Sequence, residues 1–332
     1  MKKNTPQSGF SLLEMVMAAA ITVGLTAVIF QFLKTGQESA AVESTKSDLN
    51  QNFRAALDLV SRDLQSAGAG MPRFLGPILG KNGGVDGTGN QLPDRVMIVY
   101  GKSANSPAIV NSNVTSATPT IDALDDAAPT AYNVNDFYIV YTPIDPLRIT
   151  DADYSDFAEF EIFKLTEKAT IAGGTKLTPR FTNIAPDTAA FSPSNWVNWS
   201  SMVSEPSASV LRIVPLDEVI EYQVVKATNT LQRRKNQDTW VDVARGISDL
   251  QIQYRMEVKN TTGASVTYDS LLVDEPQKSI GNNRALIRGI IVTLNGTTEM
   301  KKVYDGQGQH KISQTVEIAP RNLVLTGLVP NR

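Results

Sequence analysis

Residue types that carry common chemistry are absent or rare in this chain of 332 residues. It has no Cys and a single His. The absence of Cys excludes disulfides, thiolate catalysis and Cys-based zinc or iron–sulfur sites. A single His excludes multi-His metal sites and leaves only one possible histidine base. Much familiar enzyme chemistry is therefore excluded before any motif is considered.

An excess of either charge is also absent. The 31 Lys and Arg residues nearly balance the 34 Asp and Glu residues, and the formal net charge is −3. A protein that binds nucleic acid through bulk charge would be clearly basic, so the balance argues against a nucleic-acid partner without excluding one. The sequence contains no GxSxG, P-loop or HExxH motif. We therefore expect a protein that is not an enzyme, with no cofactor and no small-molecule substrate.

The longest apolar segment lies at the N-terminus. Residues 1–9 contain Lys2 and Lys3 and no acid, and residues 10–33 form a run of 24 residues whose one charge is Glu14. As a helix this run would be about 36 Å long, enough to span a bilayer core. The two lysines before it predict a cytoplasmic N-terminus by the positive-inside rule. We therefore predict a single-pass transmembrane helix over residues 10–33.

Three interpretations of this segment compete. A secretory signal peptide needs a cleavage site with small residues after the apolar run, but residues 31–34 read Gln-Phe-Leu-Lys. A plain membrane anchor accounts for the hydrophobicity. It does not account for Glu14, because an ionised carboxylate in a bilayer is costly and usually functional. The third interpretation rests on the order of Gly9, Phe10 and Glu14.

Residues 9–14, Gly-Phe-Ser-Leu-Leu-Glu, resemble the class III signal of type IV pilins and type II secretion pseudopilins. That signal is a short basic leader ending in Gly, then Phe, a Glu at the fifth mature position and an apolar stretch. The resemblance implies that prepilin peptidase cleaves between Gly9 and Phe10 and N-methylates Phe10, so that residues 1–9 are a leader peptide. It also implies that Glu14 pairs with the N-terminal amine of a neighbouring subunit, or at a filament tip with its own amine or none.

A second apolar pattern follows the first. Seven apolar residues recur every three or four positions, as in an amphipathic helix: Leu49, Phe53, Ala56, Leu57, Val60, Leu64 and Ala67. Asp58 and Arg62 lie off this stripe as a favourable i,i+4 pair. Because no Pro separates the two patterns, we predict one helix over residues 10–67, with residues 34–67 as its amphipathic continuation. The Gly-rich residues 68–72 are its stop signal.

Residues 68–332 are predicted to form a β-rich periplasmic or extracellular head. Runs of β-branched and aromatic residues typical of strands cover residues 96–100, 137–141, 160–164, 209–214, 219–225, 239–243, 250–256 and 287–294. Residues 171–207 are rich in Thr, Pro, Ser and Asn and are predicted to be a loop-rich insertion. The predicted fold class is α+β, with a long N-terminal helix packed on an antiparallel β-sheet head. In the light of the resemblance this arrangement is pilin-like.

Asp86, Asn90 and Asp94 are weak candidates for calcium binding. Oxygen-bearing side chains alternate along residues 86–90, as at the start of a calcium loop. However, Gln91 lies where that loop needs Gly, and Met97 lies where it needs Glu. A plain turn is the alternative, and we predict no metal site.

The order of several further segments narrows the range of pilin families that the chain resembles. The segments similar to PilW-type minor pilins and to J-class pseudopilins of type II secretion are residues 62–68, 220–222, 231–234, 244–250, 252–254, 284–292 and 316–322. The first family implies a minor pilin of a type IV pilus, incorporated at or near the tip to prime assembly. The alternatives are a J-class pseudopilin and, in another class, a membrane-anchored adhesin or ligand- or DNA-binding protein.

The pilin resemblance also implies partners and a location. The partners would be prepilin peptidase, other minor pilins, the major pilin and an inner-membrane assembly platform. The chain would lie in the inner membrane before assembly and then in the pilus at the cell surface.

Overall fold

The computed structural model describes most of the chain, and the statements below concern those residues. They are residues 11–71, 78–102, 108–111, 121–124, 132–141, 160–171, 174–181, 211–262, 265–274, 279–280, 283–299 and 309–320. They form an α+β structure in which one long N-terminal helix precedes antiparallel strands. The chain divides into two compact units, residues 1–51 with 298–310 and residues 52–297 with 311–332.

Helix α1 extends from Leu12 to Ser66 over 55 residues, which confirms the prediction of one long N-terminal helix. The chain then turns through Gly68 and Gly70, whose φ angles of 75° and 74° lie in the left-handed region that Gly adopts most readily. The Gly68 N–H donates to the carbonyl of Val99 at 2.9 Å. The end of the helix is therefore fixed to a strand by a main-chain hydrogen bond.

The first sheet has ten strands. They are β1 (Ile78–Lys81), β2 (Arg95–Gly101), β3 (Ala108–Asn111), β4 (Ile121–Leu124), β5 (Phe137–Tyr141), β6 (Phe160–Ile171), β7 (Gly174–Phe181), β8 (Leu211–Val225), β9 (Thr230–Lys235) and β10 (Val241–Arg245). The C-terminal part of β8 pairs with β2 and β9, which pair in turn with β1 and β10. The N-terminal part of β8 pairs with both β3 and β5, and further pairings link β3 to β5 through β4, β7 and β6. Six antiparallel strands therefore close into a ring at β8.

The second sheet has five strands. They are β11 (Ile247–Thr262), β12 (Ser265–Val273), β13 (Ser279–Ile280), β14 (Asn283–Glu299) and β15 (Gln309–Ile318). β11 lies between β12 and β14, and both β13 and β15 pair with β14. The strand predicted at residues 250–256 is present, and it alternates as a half-buried strand does, with Leu250, Ile252, Tyr254 and Met256 all buried.

The core lies between the C-terminal part of α1 and the two sheets. The helix contributes Phe53, Ala56, Val60 and Leu64, and Ala67 directly follows it; all five are at most 1 % exposed. The first sheet contributes Val96, Ile98, Ile220, Tyr222 and Leu231, and the second Leu250, Ile252, Tyr254, Met256, Ile290, Val292 and Leu294. The amphipathic stripe predicted from sequence is thus the face that packs on both sheets, with Leu57 partly buried at its margin.

Several segments differ from the sequence-based expectation. The strands that lie outside the predicted runs include β1, β3, β4, β9, β12, β13 and β15. Residues 209–214 and 219–225 were expected as separate strands, but β8 continues through Pro215. Pro215 pairs with Tyr138, and the β2–β8 register shifts close by, between Tyr100 and Gly101. A strand tolerates Pro at such an irregularity because one ladder hydrogen bond is already missing there. In the predicted insertion, residues 174–181 form β7, and residues 182–207 lie outside the described residues.

Candidate functional site

The apolar part of α1 is exposed along its length. Every large apolar side chain from Leu12 to Leu33 is at least half exposed, from 51 % at Val28 to 82 % at Leu12. The helix contains an 18-residue window of mean hydropathy 2.2 and is long and apolar enough to cross a membrane. A contiguous apolar surface of this size marks contact with a membrane or with protein partners. This segment is therefore the first candidate for a functional surface.

The threonines of this segment satisfy their hydroxyl groups within the helix. Thr22 donates to the carbonyl of Ala18, and Thr26 donates to the carbonyl of Thr22, each at 2.7 Å. Such bonds to the preceding turn remove the need for a water partner. The two hydroxyls are thus compatible with an apolar surrounding, where an unpaired polar group would cost several kcal/mol.

Glu14 lies in the first turn of α1 and has a local hydrogen-bond partner. The Ser11 N–H donates to Oε2 of Glu14 at 3.0 Å, and the Met15 N–H donates to the Ser11 carbonyl at 3.2 Å. Ser followed three residues later by Glu is the capping-box sequence, and the first bond is its Glu half. A carboxylate there is also favoured by the positive end of the helix dipole. Gly9 and Phe10, the predicted processing residues, lie outside the described residues.

The C-terminal part of α1 is held to the first sheet by the Asp63 cluster, which comprises Asp63, Tyr100, Glu218, Tyr222 and Arg233. The carboxylate of Asp63 accepts the Tyr222 hydroxyl at 2.5 Å and the Arg233 Nε–H at 3.0 Å. The Tyr100 hydroxyl donates to the Asp63 carbonyl at 2.8 Å, and Glu218 lies 3.6 Å from Arg233. The cluster therefore joins one helical residue to strands β2, β8 and β9.

Burial gives the Asp63 cluster its electrostatic character. Desolvation, followed by the nearby Asp63 carboxylate, raises the pKa of both Tyr100 and Tyr222 above the ordinary value. Both phenols therefore remain donors at any physiological pH. Asp63 and its partners were not singled out from the sequence. The signal that could have revealed them is Arg233, which shares one face of β9 with the buried Leu231 and therefore needs an acid partner.

Arg234 on β9 and Glu221 on β8 form a buried ion pair. Arg234 donates to both carboxylate oxygens of Glu221, at 2.9 and 2.7 Å, and the two side chains are only 10 % and 5 % exposed. Burial raises the pKa of Glu221, and Arg234 opposes that rise. The guanidinium group also lies over the Trp240 ring, 4.5 Å from its centre. This pair links β8 to β9 and is shielded from water, which suits a structural role.

The carboxylates of two calcium candidates, Asp86 and Asp94, accept hydrogen bonds from nearby groups. Asp86 accepts the N–H groups of Thr88 and Asn90, each at 2.9 Å, and the Thr88 hydroxyl at 2.6 Å. These bonds, the Thr88 hydroxyl first, lower the Asp86 pKa to about 2. The Asp94 carboxylate instead accepts the N–H groups of Gly83, at 2.8 Å, and Ile252, at 2.6 Å. In the described part of the chain, no group of three or more His, Asp or Glu side chains could hold a metal ion.

Comparison with known proteins adds no relative to this description. No protein-family model, curated protein or solved structure matches the chain. The function is therefore inferred from the exposed apolar part of α1, the first-turn Glu14 and the helix–sheet core described above.

Proposed function

We propose that this chain is a type IV pilin-like subunit, processed between Gly9 and Phe10 and built into an envelope-spanning filament. The observation that carries the proposal is the division of α1. Residues 12–33 of the helix are exposed and carry a single charge, Glu14. The apolar residues from Phe53 to Ala67, in contrast, form the buried face of a helix–sheet core. A helix of this kind supplies a membrane span before assembly and a packing surface after it.

Within that class we propose a minor pilin that acts at or near the tip and primes assembly. The chain has 332 residues, and a head with two sheets is bulky for a repeated position along a dense helical shaft. A protein present once at a tip is free of that restriction. Other minor pilins, the major pilin and an inner-membrane assembly platform are the partners that this role requires.

Glu14 is the residue we assign to assembly. As the one charge of residues 12–33, it would enter a membrane or a filament core, where a carboxylate needs a partner. The Ser11 N–H already holds one of its oxygens toward the start of the helix. This first-turn position supports the proposal that the carboxylate pairs with a newly exposed amine of its own or a neighbouring subunit.

The proposal is tested at processing and at incorporation. Mass spectrometry of the purified filament protein should find a methylated N-terminal Phe10, and Glu14→Ala should reduce incorporation while the head stays folded. Glu38→Ala, at the next acid along α1, is the matched control and should incorporate normally. Normal incorporation of Glu14→Ala would instead favour a membrane-anchored adhesin or binding protein.

A strain that lacks this chain distinguishes a role in a type IV pilus from a role in type II secretion. Loss of the chain should reduce the number of pili if it is a minor pilin. If it reduces protein secretion and leaves the pili unchanged, the J-class pseudopilin of type II secretion is the correct assignment.

A further inference from the structure

The loop between β1 and β2 places three groups around one Asn-Gly bond. Asn82 is followed by Gly83, and the Gly83 N–H donates to Oδ1 of Asp94 at 2.8 Å. The next amide, of Gly84, donates to Oδ1 of Asn82 at 2.6 Å. The Gly83 nitrogen, which could attack Cγ of Asn82, thus faces the Asp94 carboxylate. Oδ1 of Asn82, which would become negative in that attack, faces the Gly84 N–H.

The fold requires glycine at the attacking position. A Cβ on residue 83 would lie 2.4 Å from the carbonyl oxygens of Leu92 and Pro93, a distance that no side chain could accommodate without backbone movement. Gly84 has a φ of 70° and directs its N–H onto Asn82 from the left-handed region. Both glycines are therefore set by the loop geometry, and the first leaves the nitrogen unhindered.

Asp94 is held as a carboxylate in a water-poor position. It is 3 % exposed, its second oxygen accepts the Ile252 N–H at 2.6 Å, and its own N–H donates to the Leu250 carbonyl at 2.7 Å. Burial, followed in smaller part by Asp249 and Asp274, raises its pKa to about 6. A carboxylate with this environment is a stronger base than an exposed one and is still ionised at neutral pH.

We infer that Asn82–Gly83 is a self-modification site, at which Asp94 promotes cyclisation of Asn82 to a succinimide. The Gly83 nitrogen bonds to Cγ of Asn82 as its proton passes to Asp94, and the Gly84 N–H stabilises the oxygen that becomes negative. The Cγ–Nδ2 bond then breaks, and the amide nitrogen takes the proton from Asp94 and leaves as ammonia. Water opens the ring to aspartate or isoaspartate at position 82.

The chain contains an internal control. Its other Asn-Gly pair, Asn295–Gly296, lies in β14, where the Asn295 side-chain amide donates to Asp249 at 3.0 Å. Incubation of the full-length protein in detergent at neutral pH, followed by peptide mapping and isoaspartate analysis, measures both sites in one sample. We expect deamidation at Asn82 to be faster than at Asn295, and faster in the folded chain than in the same chain unfolded in urea.

Variants separate base catalysis from simple chain flexibility. Asp94→Asn should slow deamidation at Asn82 by at least about tenfold, since a general base commonly contributes about a hundredfold or more. Asp86→Ser, at the neighbouring turn, should leave the rate unchanged. If Asp94→Asn unfolds the loop, the pH profile of the natural chain decides. An Asp94 base predicts a rate that levels off above neutral pH, whereas the unfolded chain should accelerate with hydroxide.

Two results would overturn the inference. One is an Asn82 that deamidates no faster in the folded chain than in the urea-unfolded chain. The other is a folded Asp94→Asn variant that deamidates as fast as the natural chain.

Discussion

At the scale of single residues, Asp63 joins α1 to the first sheet through three hydrogen bonds. Its carboxylate accepts from Tyr222 and Arg233, and its carbonyl accepts from Tyr100. Replacement by Ala would leave a largely buried phenol and guanidinium without their acceptor. We expect Asp63→Ala to lower the free energy of unfolding by about 2 kcal/mol, below the usual range for a buried pair because Arg233 keeps Glu218 as a neighbour.

Asp58 is the matched control, since it pairs with Arg62 one turn earlier on the exposed side of the same helix. Asp58→Ala should change the free energy of unfolding by less than about 0.5 kcal/mol, as exposed i,i+4 pairs do. Urea unfolding of the full chain in detergent measures both variants. Equal effects of the two substitutions would show that the Asp63 cluster contributes no more than a surface pair.

Asp94 makes the stability of the fold depend on pH. Its folded-state pKa of about 6 lies above the ordinary value of 3.8, so the folded chain binds the proton more tightly than the unfolded chain. The resulting stabilisation is complete below the unfolded pKa and is lost as pH rises through the folded pKa. Relative to Asp94→Asn, the natural chain should gain about 1–3 kcal/mol between neutral pH and about pH 4.

The measurement is urea unfolding of both proteins across that pH range. Other carboxylates titrate in both proteins, so the difference between the two curves isolates Asp94. Parallel curves would contradict the assignment and would indicate that the Gly83 and Ile252 amides, which lower the pKa, fully offset the effect of burial.

At the scale of elements, the junction between α1 and β2 depends on a close approach of two backbones. The Gly101 N–H donates to the Ala69 carbonyl at 2.8 Å, and a Cβ on Gly101 would lie 2.6 Å from the Gly70 carbonyl oxygen. We expect Gly101→Ala to lower the free energy of unfolding by about 2 kcal/mol through overpacking. Gly36→Ala is the control, because its Cβ would have no neighbour within 4 Å. In a helix interior it should stabilise by about 0.5–1 kcal/mol.

Thermal unfolding followed by circular dichroism compares the two glycine variants. The contact predicts opposite signs for Gly101→Ala and Gly36→Ala. A Gly101→Ala variant as stable as the natural chain would show that the helix end is not held by this approach.

The elements that sequence predicts well are those with a strong period. The stripe from Phe53 to Ala67 and the alternation in β11 both identify the buried face, because each period repeats over several turns or residue pairs. Pro215 makes the continuity of β8 hard to predict. A Pro is tolerated within a central strand only where the hydrogen-bond ladder is irregular, and the sequence does not show where that is. The polar composition of residues 174–181 conceals β7, whose pairing depends on partners far away in the chain.

The residues of the candidate site also differ in how far the sequence alone can reveal them. Glu14 can be singled out from the sequence because a lone acid in an apolar run is conspicuous, and its role in assembly stays a prediction. The Asp63 cluster and the Asn82 loop cannot, because Asp63 and Tyr222 are 159 positions apart and Asp94 meets Ile252 only in the folded chain. A local pattern carries no information about such contacts.

At the scale of the whole molecule, burial is distributed unequally along the chain. Among the described residues, every buried apolar side chain lies at Leu49 or later, and residues 12–33 contribute only exposed ones. The first segment therefore adds apolar surface without adding to the core, and its removal should improve solubility at little cost in stability.

A chain that begins at residue 34 tests this division. We expect it to remain monodisperse without detergent and to keep its β-sheet circular dichroism. Its free energy of unfolding should lie within about 0.5 kcal/mol of that of the full chain, as for a surface change. The full chain should require detergent, because residues 12–33 expose mainly apolar side chains. Aggregation or loss of β structure in the shorter chain would show that the first segment supports the fold. A soluble, folded chain that no longer enters filaments would place the contribution of residues 12–33 in membrane insertion and assembly alone.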